Sequence, residues 1–238
     1  MAATAWGDAG GGVEGSDMKG SMVICNWHRR DFIVCAAAGL LAAAAMAQAP
    51  ASRPALVLVL GDSLSAEYGL ARGTGWVALL EQQLRQERPQ VTVLNASVSG
   101  ETTSGGRSRL AALLAQHQPS HVVIELGGND ALRGLPLKSI EENLDWMTRT
   151  AQQAGAKVLL LGMQVPPNYG AAYADRFAAL FTTVAQARKA AVVPFLLKGV
   201  ADGPDPTRLF QPDRIHPRAE AQPQLLANVW PELKKLLQ

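Results

Sequence analysis

The chain has 238 residues, room for one ordinary domain or two small ones, and its 22 Lys and Arg nearly balance its 20 Asp and Glu, for a formal net charge of +2. That balance leaves no electrostatic footprint for nucleic acid, and an aromatic content of 5% offers few platforms on which bases could stack. No repeat of solenoid length runs through the chain.

Residues 1–49 read as a segment apart from the fold. Met1 to Ser16 is rich in Gly and Ala with no period that would bury a face, and Met18 or Met22 is an alternative start. His28-Arg29-Arg30-Asp31-Phe32-Ile33 then leads into an apolar run, Ile33 to Met46, and into Ala47-Gln48-Ala49. A basic stretch, an apolar stretch and an A-x-A site are the parts of a secretory signal peptide, and the paired arginines resemble a twin-arginine export signal. The apolar run is about fourteen residues, short of the ~20 that span a bilayer as a helix. The expectation is therefore an exported bacterial protein, periplasmic or secreted, with no membrane span after processing; the alternative is an uncleaved anchor. Cys25 and Cys35 both lie in this segment, so the processed chain, residues 50–238, relies on its core rather than on disulfides. Its size is that of a single domain, and nothing in it demands more than a monomer.

Leu56 to Leu60 is an unbroken apolar run ending in Gly61-Asp62-Ser63, the pattern of a strand buried on both faces. Val77, Leu80 and Leu84 recur at helical spacing between Trp76 and Glu87, and Pro89 stops that helix. Val91 to Leu94 predicts a second strand, and Asn95 to Gly106 a polar, Gly-rich loop. Arg107 to His117 predicts a helix and His121 to Leu126 a third buried strand, ending in Gly127-Gly128-Asn129-Asp130. Ser139 with Glu142 reads as a capping box opening a helix that carries Ile140, Leu144, Met147 and Ala151 and stops at Gly155. Lys157 to Leu161 and Val192 to Phe195 predict two more strands, with a helix from Ala172 to Lys189 between them. A long loop then reaches Asp213-Arg214-Ile215-His216-Pro217, and a last helix carries Leu225, Leu226, Val229, Leu233 and Leu236. Strands alternating with helices predict a five-stranded, flavodoxin-like parallel sheet in a three-layer α/β/α sandwich. In such a sheet Ser63, the loop around Gly100, and Gly128-Asn129 share one edge, the edge where open α/β sheets place ligands.

Ser63 is a candidate nucleophile if a base and an oxyanion-stabilising group reach it. Of the histidines beyond residue 49, His117 and His121 are separated by Pro119, which breaks a shared helix, and no third ligand is near, so they read as structural or surface residues and no metal is expected. His216 differs because Asp213 stands three residues before it, where a carboxylate can hold the imidazole in one tautomer. Pro217 biases His216 toward an extended or turn conformation. The Ser63 backbone amide, Gly100 and the Asn129 side-chain amide are candidate oxyanion donors. Taken singly, Gly100 also reads as a turn glycine and Asn129 as an Asx turn at a strand end. Their occurrence together after successive strands favours the site.

These blocks resemble the GDSL or SGNH hydrolases. The resemblance rests on Gly61-Asp62-Ser63-Leu64-Ser65-Ala66, Asn95 to Thr102, Glu125-Leu126-Gly127-Gly128-Asn129-Asp130 and Asp213-Arg214-Ile215-His216-Pro217, in that order, and covers nearly all of Leu56 to Trp230. Gln116-His117-Gln118-Pro119, Leu132-Arg133-Gly134 and Pro167-Asn168-Tyr169-Gly170 are similar to the subgroup of bacterial periplasmic thioesterases, lysophospholipases and arylesterases. The resemblance implies Ser63 as nucleophile, His216 as base, Asp213 as its orienter, and Ser63, Gly100 and Asn129 as oxyanion donors. It implies hydrolysis of carboxylic esters and thioesters, lysophospholipids among them, through an acyl-enzyme, with no cofactor. Leu132, Leu135, Pro136 and Leu137 are then candidates to line an acyl groove, with Tyr169 and Tyr173 opposite; the alternative is a loop packed onto the core. Glu67 and Arg214 stand where relatives often have glycine. No G-x-S-x-G elbow is present, which disfavours the ordinary lipase architecture. Two other functions remain open: a carbohydrate O-acetylesterase using the same residues, and a silent binding domain.

Overall fold

A computed structural model describes residues 55–238, apart from Pro166 and Pro206. The expected export segment, its boundary at residue 49 and both cysteines lie outside the described residues. Five parallel strands make one sheet: β1 (Ala55–Gly61), β2 (Val91–Asn95), β3 (His121–Glu125), β4 (Lys157–Leu161) and β5 (Ala191–Val193), in the order β2-β1-β3-β4-β5. That is the flavodoxin-like order expected from the alternation of elements. Every residue of β3 is buried, as are Val57 to Gly61 of β1, because both strands have neighbours on either side and helices on either face.

The helices form two packed groups. α1 (Trp76–Glu87) packs with α6 (Gln222–Leu236), while α4 (Leu137–Gln153) packs between α2 (Thr103–His117) and α5 (Ala171–Arg188). Right-handed crossovers put the two groups on opposite faces, since the chain moves one way from β1 to β2 and the other way from β2 onward. Trp76, Leu80, Leu225 and Val229 fill one side of the core and Leu110, Ile140, Leu144, Phe177 and Phe181 the other, all fully buried. At roughly 1.5–3 kcal/mol per buried large apolar side chain, these two seams are the main source of stability.

Two helix starts differ from expectation. α2 begins four residues earlier than Arg107, at Thr103, with the Thr102 side chain accepting from the Gly105 N–H at 3.3 Å. Ser104-Gly105-Gly106 reads as loop by composition, but Gly106 is small for a packing reason: a Cβ there would lie 2.3 Å from Leu126 Cδ1. α4 begins at Leu137, preceded by Pro136 at φ −58°, with no side-chain cap; Ser139 is already inside the helix and its N–H donates to the Pro136 carbonyl at 3.0 Å. Proline's fixed φ starts the turn, so Ser139 and Glu142 form no capping box. A five-residue helix, α3 (Gly128–Leu132), opens directly after β3 and was not signalled by any periodicity.

Register positions the functional loops. Gly61 is level with Glu125 and Val59 with Asn95, so the chain leaves β1, β2 and β3 at nearly the same height. Beyond β2 the chain keeps following β1, with the Ala96 N–H donating to Val59 O at 2.9 Å and the Val98 N–H to Gly61 O at 3.0 Å. The Gly100 loop is thereby held against the segment that begins at Ser63.

Candidate active site

Ser63 opens a helix-like turn at the end of β1: the Ala66 N–H donates to Asp62 O at 2.9 Å and the Tyr68 N–H to Ser63 O at 3.2 Å. His216 reaches it from a tight turn far along the chain. Phe210 and Pro217 pair as an antiparallel bridge, and the Gln211 N–H donates to His216 O at 2.8 Å, which closes residues 211–216. Within that turn Asp213 Oδ1 accepts from the N–H groups of Ile215 (3.0 Å) and His216 (3.1 Å), an Asx-type arrangement that fixes its carboxylate. The turn docks on the Ser63 loop through Gln211 Nε2, which donates to Tyr68 O at 2.9 Å.

The result is one hydrogen-bonded chain across 153 residues of sequence. His216 Nδ1 lies 2.6 Å from Asp213 Oδ2, and His216 Nε2 lies 2.8 Å from Ser63 Oγ. Burial pushes the Asp213 carboxyl up, but the Ile215 N–H, the imidazole and the His216 N–H outweigh it and hold it at about 2. An ionised Asp213 accepts only, so Nδ1 carries the proton and Nε2 is left to accept the Ser63 hydroxyl proton. This is the geometry that lets an imidazole take a proton from a hydroxyl as it attacks a carbonyl.

Among the described residues neither the Ser63 nor the Gly100 N–H has an acceptor within the chain. Gly100 has φ +77°, a left-handed conformation suited to glycine, and a Cβ there would face open space with only the Arg133 guanidinium at 4.0 Å. The Gly100 carbonyl accepts from Arg133 Nη2 at 3.1 Å. Asn129 is more engaged than the sequence suggests. Its Nδ2 donates to Asp62 Oδ2 at 2.9 Å and to Glu101 O at 3.0 Å, so both amide protons have acceptors at rest. Glu101 is itself anchored by an ion pair with Arg109. For Asn129 to serve an oxyanion, the proton now on the Glu101 carbonyl must be shared.

Leu132, the last residue of α3, and Leu135 just after it are exposed, whereas Leu137 is buried as the first residue of α4 and packs into the core. Leu137 is therefore removed from the candidate groove. Tyr169 and Tyr173 brace the same loop, their hydroxyls at 3.5 Å from Leu132 O and 3.3 Å from Leu135 O. The exposed large apolar side chains among the described residues are Tyr68, Val98, Leu132, Leu135 and Ile215. All five flank Ser63, Gly100, Asn129 or His216 in sequence, and together they give the polar centre an apolar rim. His117 ends α2, while His121 is buried with its ring nitrogens 2.8 Å from Ser120 Oγ and 3.0 Å from Leu236 O; burial lowers its pKa. Among the described residues no group of three or more His, Cys, Asp or Glu is placed to hold a metal.

Three contributors had no role assigned from the sequence, where Glu67 was noted only as a departure from the glycine of relatives. Tyr68 lies over the His216 ring, centroids 4.4 Å apart and planes at 36°. Glu67 has φ +60°, and its carboxylate accepts from the N–H of Gly73 (3.0 Å) and of Gly75 (2.7 Å), which ties down the loop carrying Tyr68. The third is a buried acid pair, Asp62 with Glu125, directly beneath Ser63. The only signal for it was an acidic residue ending an otherwise apolar strand.

Residues 59–222 match the GDSL-like lipase/acylhydrolase family. The chain is 49% identical over 199 residues to esterase TesA of Pseudomonas aeruginosa, covering 84% of this chain and 96% of that protein. It is 42% identical over 181 residues to an arylesterase of Vibrio mimicus, covering 76% and 89% respectively. To thioesterase 1/protease 1/lysophospholipase L1 of Escherichia coli K12 it is 40% identical over 167 residues, covering 70% and 77%. The crystal structure of TesA superposes with a TM-score of 0.73 at 51% identity, covering 76% of this chain and 99% of that one. The psychrotrophic esterase EstA of Pseudoalteromonas, solved with monoethylphosphonate, superposes with a TM-score of 0.71 at 41% identity, covering 76% and 98%. A family match over most of the described residues, with relatives of this identity along most of their length, means that the chain belongs to the GDSL-like lipase/acylhydrolase family.

Proposed function

We propose that the protein is an esterase and thioesterase that works through an acyl-enzyme on Ser63. Ser63 Oγ attacks the carbonyl carbon while His216 Nε2 takes its proton, and the negative charge on the carbonyl oxygen falls to the N–H groups of Ser63 and Gly100 with the Asn129 amide. His216 passes the proton to the departing alcohol or thiol, then activates water to release the acid and regenerate Ser63. The observation that carries the reading is the chain from Asp213 Oδ2 through His216 to Ser63 Oγ, with distances of 2.6 and 2.8 Å. Relatives named as esterase, arylesterase and thioesterase support the same chemistry.

The rim of Tyr68, Val98, Leu132, Leu135 and Ile215 favours an apolar acyl or aryl group over a sugar acetyl ester. Covalent labelling by a fluorophosphonate, located by peptide mass, tests the mechanism: the label is expected on Ser63 alone. A series of acetyl, butyryl, octanoyl and palmitoyl p-nitrophenyl esters tests the substrate class, and strict acetyl preference would favour the O-acetylesterase instead. Among the described residues no helix is long and apolar enough to cross a membrane. Export, with cleavage after Ala49, is read from the sequence of residues 28–49 and is checked by the N-terminus of secreted material.

A further inference from the structure

Asp62 and Glu125 lie directly under the candidate site, and the reaction as written above uses neither. Glu125 is fully buried at the end of β3, and Asp62 is almost as deeply buried at the end of β1. Glu125 Oε2 accepts from the Asp62 N–H at 3.2 Å and the Ser65 hydroxyl at 2.8 Å, while no donor reaches its buried Oε1. Asp62 Oδ1 accepts from the Leu64 N–H at 3.0 Å, and its Oδ2 from Asn129 Nδ2 at 2.9 Å. A Cβ at Gly61 would lie 2.9 Å from Glu125 Oε2 and 2.8 Å from Ser65 Oγ, so the glycine leaves room for this acid.

Two carboxyl groups this close in a dry interior cannot both ionise, and Glu125 Oε1, which no donor reaches, is the oxygen left to carry a proton. The surroundings assign it. Asp62 accepts from two N–H donors and feels the positive form of His216, all of which favour its charge. Burial, then the charge on Asp62, raises the Glu125 pKa well above the ordinary carboxylate range. The groups that face Asp62 from the turn after β1, from β3, from α3 and from the 211–216 turn are the Leu64 N–H, Glu125, Asn129 and His216.

We propose that Glu125 is a positioning residue for the oxyanion hole: as a neutral buried acid it donates to Asp62, which stays ionised and grips one proton of the Asn129 amide, aiming the other toward the reacting carbonyl. An amide held only by the Glu101 carbonyl could rotate or flip. One held by a carboxylate cannot, because a flip would set its oxygen against the charge of Asp62. The role rests on Asn129 serving as an oxyanion donor in the reading above.

The test compares Glu125→Gln and Glu125→Leu with the unmodified full-length protein, using p-nitrophenyl butyrate. A glutamine amide still donates to Asp62 and its carbonyl still accepts from Ser65, so Glu125→Gln is expected to keep kcat within about threefold. Glu125→Leu is expected to lower kcat about 10- to 100-fold with little change in KM. Its acid limb should also move to higher pH, since the Glu125 hydrogen bond that favours Asp62 ionisation is gone. A merely structural role would lower the melting temperature and leave the pH profile of the folded enzyme where it was; that result, or an unchanged kcat in Glu125→Leu, overturns the proposal. Infrared difference spectroscopy of Glu125→Gln against the unmodified protein near neutral pH gives a readout that does not need the leucine variant to fold. A carbonyl band of a protonated acid, lost in Glu125→Gln, is expected, and its absence overturns the proposal. Fluorophosphonate labelling of the unmodified protein is the separate check on the reading beneath: if Ser63 is not labelled, it is that reading which falls.

Discussion

Asp213 and Asp62 are the same side chain in opposite surroundings, one on each side of Ser63. Asp213 sits at the rim, in a turn whose N–H groups and imidazole converge on it, and is held at about 2. Asp62 sits under the sheet edge, where burial pushes it up to about 6 although the Leu64 N–H, Glu125, the His216 charge and the Asn129 amide all pull it down. The difference shows that donor count alone does not set a carboxylate's charge. Asp213 keeps its charge because water still reaches it; Asp62 keeps its charge only near neutrality, at a cost to the fold.

The two sites therefore respond to pH with opposite sign. Asp213 is depressed below its ordinary value, so its contribution to stability is complete above about pH 4 and is lost only as the pH falls toward 2. Asp62 is raised, so its protonated form stabilises the fold, and that stability is lost as pH rises from about 4 through 6. A rise from 3.8 to about 6 corresponds to roughly 3 kcal/mol withheld from stability at neutral pH.

The largest effect is expected at the atom both aspartates serve. Ser63→Ala should lower kcat by about 10⁵-fold or more, measured on p-nitrophenyl butyrate, and should abolish fluorophosphonate labelling. Asp213→Asn breaks the rim side of the comparison: an amide at position 213 removes the charge that fixes the imidazole tautomer. Its kcat should fall about 10³- to 10⁴-fold with the fold intact by circular dichroism. Asp62→Asn breaks the buried side and should separate activity from stability. Activity should drop about 10- to 100-fold, because an amide opposite Asn129 no longer demands its N–H. Unfolding in urea at several pH values should show the variant gaining on the parent as pH rises from 4 to 7, by up to about 3 kcal/mol. The smallest effect lies beside Asp213. Arg214 has φ +58°, a conformation that costs a side chain about 1 kcal/mol, so Arg214→Gly should raise stability by about that much in thermal melts. Glu67 has nearly the same φ, yet Glu67→Gly should not gain, because it deletes the carboxylate that accepts from Gly73 and Gly75.

That last pair shows where the sequence was legible. In the sequence both positions stood out only as departures from the glycine that relatives often carry; the coordinates show left-handed backbone at each, and separate the residue whose side chain offsets the strain from the one whose side chain does not. The strands were readable because Val57 to Leu60, Val122 to Ile124 and Val158 to Leu161 are apolar runs with no other stable home than a covered sheet. The spacing of Asp213 and His216 was readable because a three-residue offset is local. The start of α2 was obscured because Gly106 answers to the packing of Leu126, a partner twenty residues away. Asp62 and Glu125 were hidden for the same reason. Their meaning lies in the register that sets Gly61 level with Glu125, and no window of sequence contains both.

The far edge of the sheet carries its own consequence. The Leu236 carbonyl, at the end of α6, takes hydrogen bonds from His121 Nε2 at 3.0 Å and Lys157 Nζ at 2.5 Å, and the Leu237 carbonyl takes one from Arg88 Nη1 at 2.9 Å. Residues that open β3 and β4 and close α1 are thus fastened together by the end of α6. Until α6 docks, the side of the sheet that it covers stays wet, so deleting residues 236–238 should harm maturation.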